Sequence, residues 1–203
     1  MTATWLISDT HFGHRRSLEF MREDGVSRLR PFDTLEEMDE LMVKRWNSTV
    51  RPGDRVYHLG DVAINRACVK ILDRLNGRKI LVRGNHDLFS DQYAGRFDDI
   101  RGSHKLDKFI LSHYPIHPDS ISGWAVANIH GHLHDKQVKL AGNRDHRYFN
   151  VSVESQARAL INVPEFTPIN FDVIREFYNK LDLSSSGSEE LLLCQQMMSE
   201  PST

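Results

Sequence analysis

Apolar residues fall into short blocks along this chain, and most blocks stop abruptly at a cluster of polar ones. Thr4–Ser8, Arg55–Leu59, Arg78–Val82, Lys108–Ser112, Trp124–Ile129 and Tyr148–Val153 are too short for helices and predict strands. Helical spacing recurs between and after them. Leu35, Met38, Leu41, Met42 and Trp46 form one apolar face behind a Thr34 to Glu37 capping box, with Asp33 competing for the cap. Val69, Ile71, Leu72 and Leu75 predict a second helix over Arg66 to Asn76, stopped by Gly77. Phe171, Ile174, Phe177, Tyr178 and Leu181 predict a third, opened by Pro168 and Asn170. Strands interleaved with helices predict a layered α/β domain whose ligands bind where the strands stop. Arg15 to Pro31 reads as a loop or short helix with solvated arginines, Arg30 among them, and the stretch through Gly95 and Gly102 as polar connection.

At 203 residues, 39% hydrophobic and 27% charged, the chain suits one globular domain, placed at residues 1–183. Ser184 to Ser188 reads as linker, so 184–203 is expected to be a tail, disordered or with a short helix from Glu189 to Met198. Its Leu191, Leu192, Leu193, Met197 and Met198 are apolar enough to dock on the chain's own domain or on a second copy, which makes a homo-oligomer one expectation. With 26 Lys and Arg against 28 Asp and Glu, the formal charge of -2 supplies no global basic field for nucleic acid. No run nears the roughly 18 apolar residues of a membrane span, and no basic, cleavable leader opens the chain. Cys68 and Cys194 lack metal or redox spacing and read as thiols, which favours the cytoplasm.

Eleven histidines are many for this length, and the chemistry gathers at the predicted strand ends. Asp9-x-His11 follows the first run, Gly60-Asp61 the second, Gly84-Asn85-His86-Asp87 the third, His113 the fourth and Gly131-His132-x-His134 the fifth. Residues two apart in an extended or tightly turning segment project to one side, so each Asp-x-His or His-x-His pair can aim at neighbouring points. Carboxylate, imidazole and amide donors without thiolate suit Mn, Fe, Co, Ni or Zn better than Ca or Mg. His14, Arg15, Arg83 and His117 flank the clusters and are candidates for contact with a substrate phosphate; a surface or structural duty explains each equally well. His58, inside its strand, reads as a packed histidine, and Tyr114 as either a pocket wall or an ordinary residue after a strand.

In this order, each at the end of a strand, the five clusters resemble the metallophosphoesterase superfamily, the calcineurin-like phosphoesterases, over roughly residues 4–155. The resemblance implies a four-layer α/β/β/α sandwich with two mixed β-sheets and two divalent metal ions at the sheet edge. It implies Asp9, His11, Asp61 and His134 on one metal, Asp61, Asn85, His113 and His132 on the other, and His86 as the catalytic histidine. Asp61 then bridges. A carboxylate can span cations about 3.5–4 Å apart, whereas imidazole and amide donors serve one metal each. A hydroxide bridging two such cations would form near neutral pH and attack phosphorus in line while His86 protonates the leaving oxygen. Some branches, the protein phosphatases among them, carry an Asp three residues after the bridging Asp to orient that histidine. Here the position is Ile64, which argues against that branch. The expected function is a metal-dependent phosphoester hydrolase with manganese first among Mn, Fe, Zn, Ni and Co. It would act on a small phosphodiester or nucleotide, since no large cap domain is evident to enclose a small monoester. A phosphomonoesterase, a DNA nuclease and a non-catalytic binding scaffold of the same fold are the alternatives.

Overall fold

The computed structural model describes residues 2–88 and 90–185. In chain order the elements are β1 (Thr4–Ile7), α1 (Leu35–Thr49), β2 (Arg55–His58), β3 (Arg78–Val82), α2 (Asp91–Ala94), β4 (Asp99–Arg101), β5 (Ser103–Leu106), β6 (Phe109–Ser112), β7 (Ala127–His130), a hairpin of β8 (Lys139–Leu140) and β9 (Asn143–Arg144), then β10 (Tyr148–Asn150), β11 (Ile169–Asn170) and α3 (Phe171–Ser185). One sheet has the order β11-β1-β2-β3-β4, with β1 to β4 parallel and β11 antiparallel to β1. The other has the order β10-β7-β6-β5, with β10, β7 and β6 parallel and β5 antiparallel.

Alternation along each strand sorts the first sheet's side chains into two cores. Ile7, Val56 and Leu81 face Met38, Met42 and Trp46 of α1 together with Val69 and Leu72. Leu6, Tyr57 and Val82 face the other way, into a core shared with Phe109, Leu111, Ala127, Ile129 and Phe149 of the second sheet. α3 closes this second core, its aromatic rings meeting Phe109 and Phe149 edge-on. The architecture is α/β, with two mixed sheets and their flanking helices. Burying each large apolar side chain contributes about 1.5–3 kcal/mol, so the two cores hold the strand ends rigid.

The helix start at Thr34 is built as its sequence implies: Thr34 Oγ1 accepts from Glu37 N at 3.1 Å, and Glu37 Oε2 accepts from Asp33 N at 3.3 Å. Arg66 to Asn76 differs from expectation. A 3-10 helix occupies Arg66–Arg74, opened by Asn65 Oδ1 accepting from Ala67 N. The buried residues Val69, Leu72 and Leu75 recur every three positions, and a three-residue turn sets them in one line against the core. The stretch around Gly95 and Gly102 is not mere connection either, since it holds α2, β4 and β5, which are too short and too charged to show a period. α3 runs on through Ser184 to Ser185, past the expected domain boundary at Leu183. Residues 186–203, with the expected remainder of the linker and the helical or disordered tail, lie outside the described residues. Among the described residues no helix is long and apolar enough to cross a membrane.

Thr34→Ala removes the acceptor that caps α1 and should lower stability by about 1 kcal/mol. A urea titration checks this as a lower midpoint with an unchanged m-value; an unmoved midpoint would mean that packing alone holds the start of α1.

Candidate metal centre

The parallel strands of both sheets deliver their C-terminal ends to one region. Asp9 and His11 follow β1, Asp61 follows β2, and Asn85 and His86 follow β3, while His113 follows β6, His132 and His134 follow β7, and Glu154 follows β10. A bridge between Ser8 and Ser152, with Val153 N donating to Ser8 O at 3.1 Å, joins the two sheets beside these ends. The loops then turn sharply, and Asp9 (φ 59°), His11 (50°), Asp61 (56°), His132 (67°) and His134 (55°) all hold left-handed backbone. Such residues concentrate at functional sites because their cost, on the order of 1–3 kcal/mol each, persists only where the surroundings enforce it. Cross-loop bonds do so here: Asp9 N donates to Gly60 O and His11 N to Asp61 O, both at 3.0 Å. Close approach also demands glycine at 131, where a Cβ would stand 2.0 Å from Ser8 Oγ and 2.5 Å from Asp9 Oδ2.

The side chains gather into two overlapping triads, Asp9, His11 and His134 in one and Asp9, Asp61 and His113 in the other. Within each triad, one donor atom per residue lies within 4.8 Å of the others. Asp61 Oδ2 is 3.6 Å from Nε2 of His11 and 3.6 Å from Nε2 of His113. Hydrogen-bond accounting leaves this cluster short of positive charge. His113 Nδ1–H donates to Leu59 O at 2.7 Å, so Nε2 of the neutral ring carries a lone pair; it faces Asn85 Oδ1 at 2.9 Å as well as Asp61. Three acceptors thus converge. Asp9 Oδ1 and both ring nitrogens of His11 are buried without a hydrogen-bond partner, which costs about 1–3 kcal/mol per group when nothing compensates it. Inward-facing oxygen and nitrogen donors with these unmet valences fit a divalent transition metal.

The other residues singled out from the sequence sit at different distances from this core. His132 donates its backbone N–H to Asp9 Oδ2 at 2.9 Å, and its ring centroid is 5.1 Å from that of His113. Asn85 and His86 are exposed; His86 N donates to Asp61 Oδ1 at 2.8 Å, and its ring lies 5.8 Å from that of His11. His14 stacks obliquely on His11 at 5.3 Å. Arg83 Nη2 donates to Asp87 O at 3.0 Å, Arg15 is exposed, and His117 is an exposed residue whose Nδ1 accepts from Asp119 N in a short turn. His58 is packed as expected, buried against Trp46 and hydrogen-bonded to Thr10.

Behind the donors stand groups whose duty no local pattern assigns. Glu154, fully buried, accepts from His134 Nδ1 at 2.6 Å and from Arg30 Nη2 at 3.1 Å. Arg30 is fully buried rather than solvated, because its guanidinium also finds Thr10 O and Asp9 O to satisfy it. The carboxylate and the guanidinium lie 124 residues apart, which is why neither stands out in the sequence. Asp87 accepts from Asp61 N, Val62 N, Gly84 N and the Tyr93 hydroxyl, and so ties the loop after β2 to the loop after β3. Its place beside His86 in the third polar cluster is the one signal the sequence offers for it.

Electrostatics follow from this packing. Burial raises the Glu154 carboxyl, but Arg30 and the His134 hydrogen bond outweigh it and hold it at about 2. Burial lowers His134, and Glu154 more than reverses that. Burial likewise raises Asp9, yet the surrounding imidazoles of His11, His134 and His113 keep it well below the usual carboxylate range. His11 is pushed down to about 4, chiefly by burial, so its ring is neutral and able to ligate at neutral pH. Asp61 is raised, first by burial and then by the negative charge of Asp9, against the pull of His113. A cation among these groups would relieve that repulsion.

The family described as calcineurin-like phosphoesterase matches residues 3–194 of the chain. An uncharacterized protein of Methanocaldococcus jannaschii, MJ1445, is 33% identical over 188 residues, covering 89% of this chain and 93% of that protein. The gene 66 protein of Mycobacterium phage L5 is 28% identical over 202 residues, covering 78% of this chain and 89% of that protein. Among solved structures, the protein of unknown function AQ665 from Aquifex aeolicus superposes with a TM-score of 0.60 at 26% identity, covering 87% of this chain and 99% of that one.

Arg30→Met leaves Glu154 buried with His134 alone and should lower stability by about 3–5 kcal/mol, measurable by denaturant titration. The pH dependence has a definite sign. A carboxylate held at about 2 when folded, against an ordinary 4.5, contributes its full stabilisation above 4.5 and loses it as pH falls toward about 2. Glu154→Gln should therefore flatten the stability profile across that window, and a slope equal to that of the unaltered protein would show that the carboxylate contributes nothing to it.

Proposed function

Because the chain belongs to the calcineurin-like phosphoesterase family and is a hydrolase of phosphoester bonds, we propose that it cleaves phosphodiesters at a dinuclear metal site, with Mn²⁺ the first choice of metal. Asp9, His11, Asp61 and His134 would hold one cation, and Asp61, Asn85, His113 and His132 the other. Asp61 carries this assignment, since its Oδ2 lies 3.6 Å from a ring nitrogen of each triad. Bound divalent cations supply a water acidic enough to ionise near neutral pH and neutralise charge on the phosphoryl oxygens.

The chain's own residues do the remainder. Glu154 and the Leu59 carbonyl each accept a hydrogen bond from the Nδ1–H of a histidine, His134 and His113 respectively, which keeps the Nε2 lone pair of each ring turned inward. His86, its backbone anchored on Asp61 Oδ1, donates an imidazole proton to the leaving oxygen. Exposure of Asn85 and His86 leaves the rim open, so groups on both sides of a phosphodiester can extend into solvent. That openness favours a diester over a small monoester that would need enclosing.

Asp61→Asn should lose metal and turnover together, because one oxygen of the shared carboxylate becomes a weak neutral amide nitrogen. Elemental analysis after dialysis against Mn²⁺, alongside hydrolysis of bis(4-nitrophenyl) phosphate, checks both; a variant that keeps two metals and near-normal turnover would refute the shared carboxylate.

For His86→Ala, metal content should stay intact while the rate drops by about 10²–10⁴-fold, the range of general acid catalysis. The loss should shrink as the leaving group improves, since a good leaving group needs no proton. Equal losses across a series of aryl esters would remove His86 from the role of acid.

A further inference from the structure

Tyr114 adjoins the metal centre, and the chemistry above leaves it without a task. Its side chain is 48% exposed, yet its ring centroid lies only 4.5 Å from that of His132 and 4.9 Å from that of His113, inclined at 61° and 77°. The ring therefore stands against two imidazoles assigned to one cation while much of its surface meets solvent. Its backbone is held where the ring meets the two imidazoles: Ser112 Oγ donates to Tyr114 O at 2.6 Å, and Asn128 Nδ2 donates to Ser112 Oγ at 2.8 Å. On the side of the other triad, the ring of Phe20 stands edge-on to His14 and His134 at 5.6 and 5.8 Å. A phosphate seated between the triads would thus have an aromatic side chain beside each flank, and the more exposed of the two is Tyr114. An ordered tyrosine offers a large planar contact at little entropic cost. Stacking on such a ring accepts any base, because every base has a π-face.

Resting on the phosphodiester reading above, we propose that Tyr114 is a substrate-positioning residue that stacks a planar heteroaromatic ring, so that the ester taken by this site is a nucleotide. The stacked base would hold the phosphoryl group in register with the two triads without touching the reacting atoms.

The test uses the full chain loaded with Mn²⁺ and hydrolysing bis(4-nitrophenyl) phosphate, with adenosine 5′-monophosphate and ribose 5-phosphate as competing inhibitors. The second inhibitor keeps the ribose and phosphate and carries a hydroxyl in place of the base. Tyr114→Ala should raise the inhibition constant of the nucleotide on the order of tenfold and leave that of the sugar phosphate unchanged, and Tyr114→Phe should restore the nucleotide value. Equal weakening of both inhibitors, no weakening of either, or failure of the Phe variant to restore binding would overturn the proposal. Should the unaltered protein hydrolyse no diester, the phosphodiester reading fails on its own. Calorimetric titration of the same two ligands into the same Mn²⁺-loaded proteins would still decide whether Tyr114 stacks a base.

Discussion

Left-handed backbone at Asp9, His11, Asp61, His132 and His134 is the constraint on which the rest of the molecule depends. Together these turns cost on the order of 5–15 kcal/mol, as much as the whole net stability of a typical domain. Asp and His tolerate this region better than bulky residues do, which keeps the sum toward its lower end. Even so, nothing local explains why the turns persist. Two apolar cores grip the strands from which the loops spring, and the loops are tied to one another by backbone bonds and by Asp87, whose carboxylate reaches three backbone amides.

The electrostatic design runs along the same lines. Asp9 and Asp61 are brought together inside the protein, where repulsion and desolvation both act, and burial keeps the ring of His11 neutral. Arg30 supplies a permanent positive charge from behind, and it does so through Glu154 and through backbone carbonyls rather than by touching either aspartate side chain. The front of the cluster is left for a mobile cation to balance. Glu154 joins the two sides of this design, since the carboxylate that pairs with Arg30 also holds the His134 ring.

Much of this is legible in the amino-acid order itself, for a physical reason. Short apolar runs ending in polar clusters encode both the strand and the polar turn at its end, so Asp9, His11, Asp61, Asn85, His113, His132 and His134 stand out as a series although each alone is ordinary. The helix cap at Thr34 is equally local and equally readable. What the order of residues hides depends on contacts across the chain. Glu154 carries no neighbouring motif, and its meaning comes from Arg30 and His134, which only the meeting of the two sheets brings within reach. Arg30 itself sits in a polar, arginine-rich stretch whose composition implies solvent. The three-residue spacing of Val69, Leu72 and Leu75 is visible, but with Ile71 among them it also suits an α-helical period, and only the packed core decides between the two. β4 and β5 are too short for any period to register.

The stitch between Ser8 and Ser152 has a consequence for how the protein comes into being. The first strand leaves the ribosome some hundred and forty residues ahead of its partner across the sheet boundary, roughly seven to thirty seconds at ordinary rates of synthesis. Until then the amino-terminal half can pair its own parallel strands, yet Glu154 is not there to orient His134, nor Ser152 to hold Asp9. A nascent chain that has not yet reached Ser152 and Glu154 is consequently unable to bring together the full set of side chains described above. The order in which the strands are made thus ties the site to a chain in which the two sheets have already met.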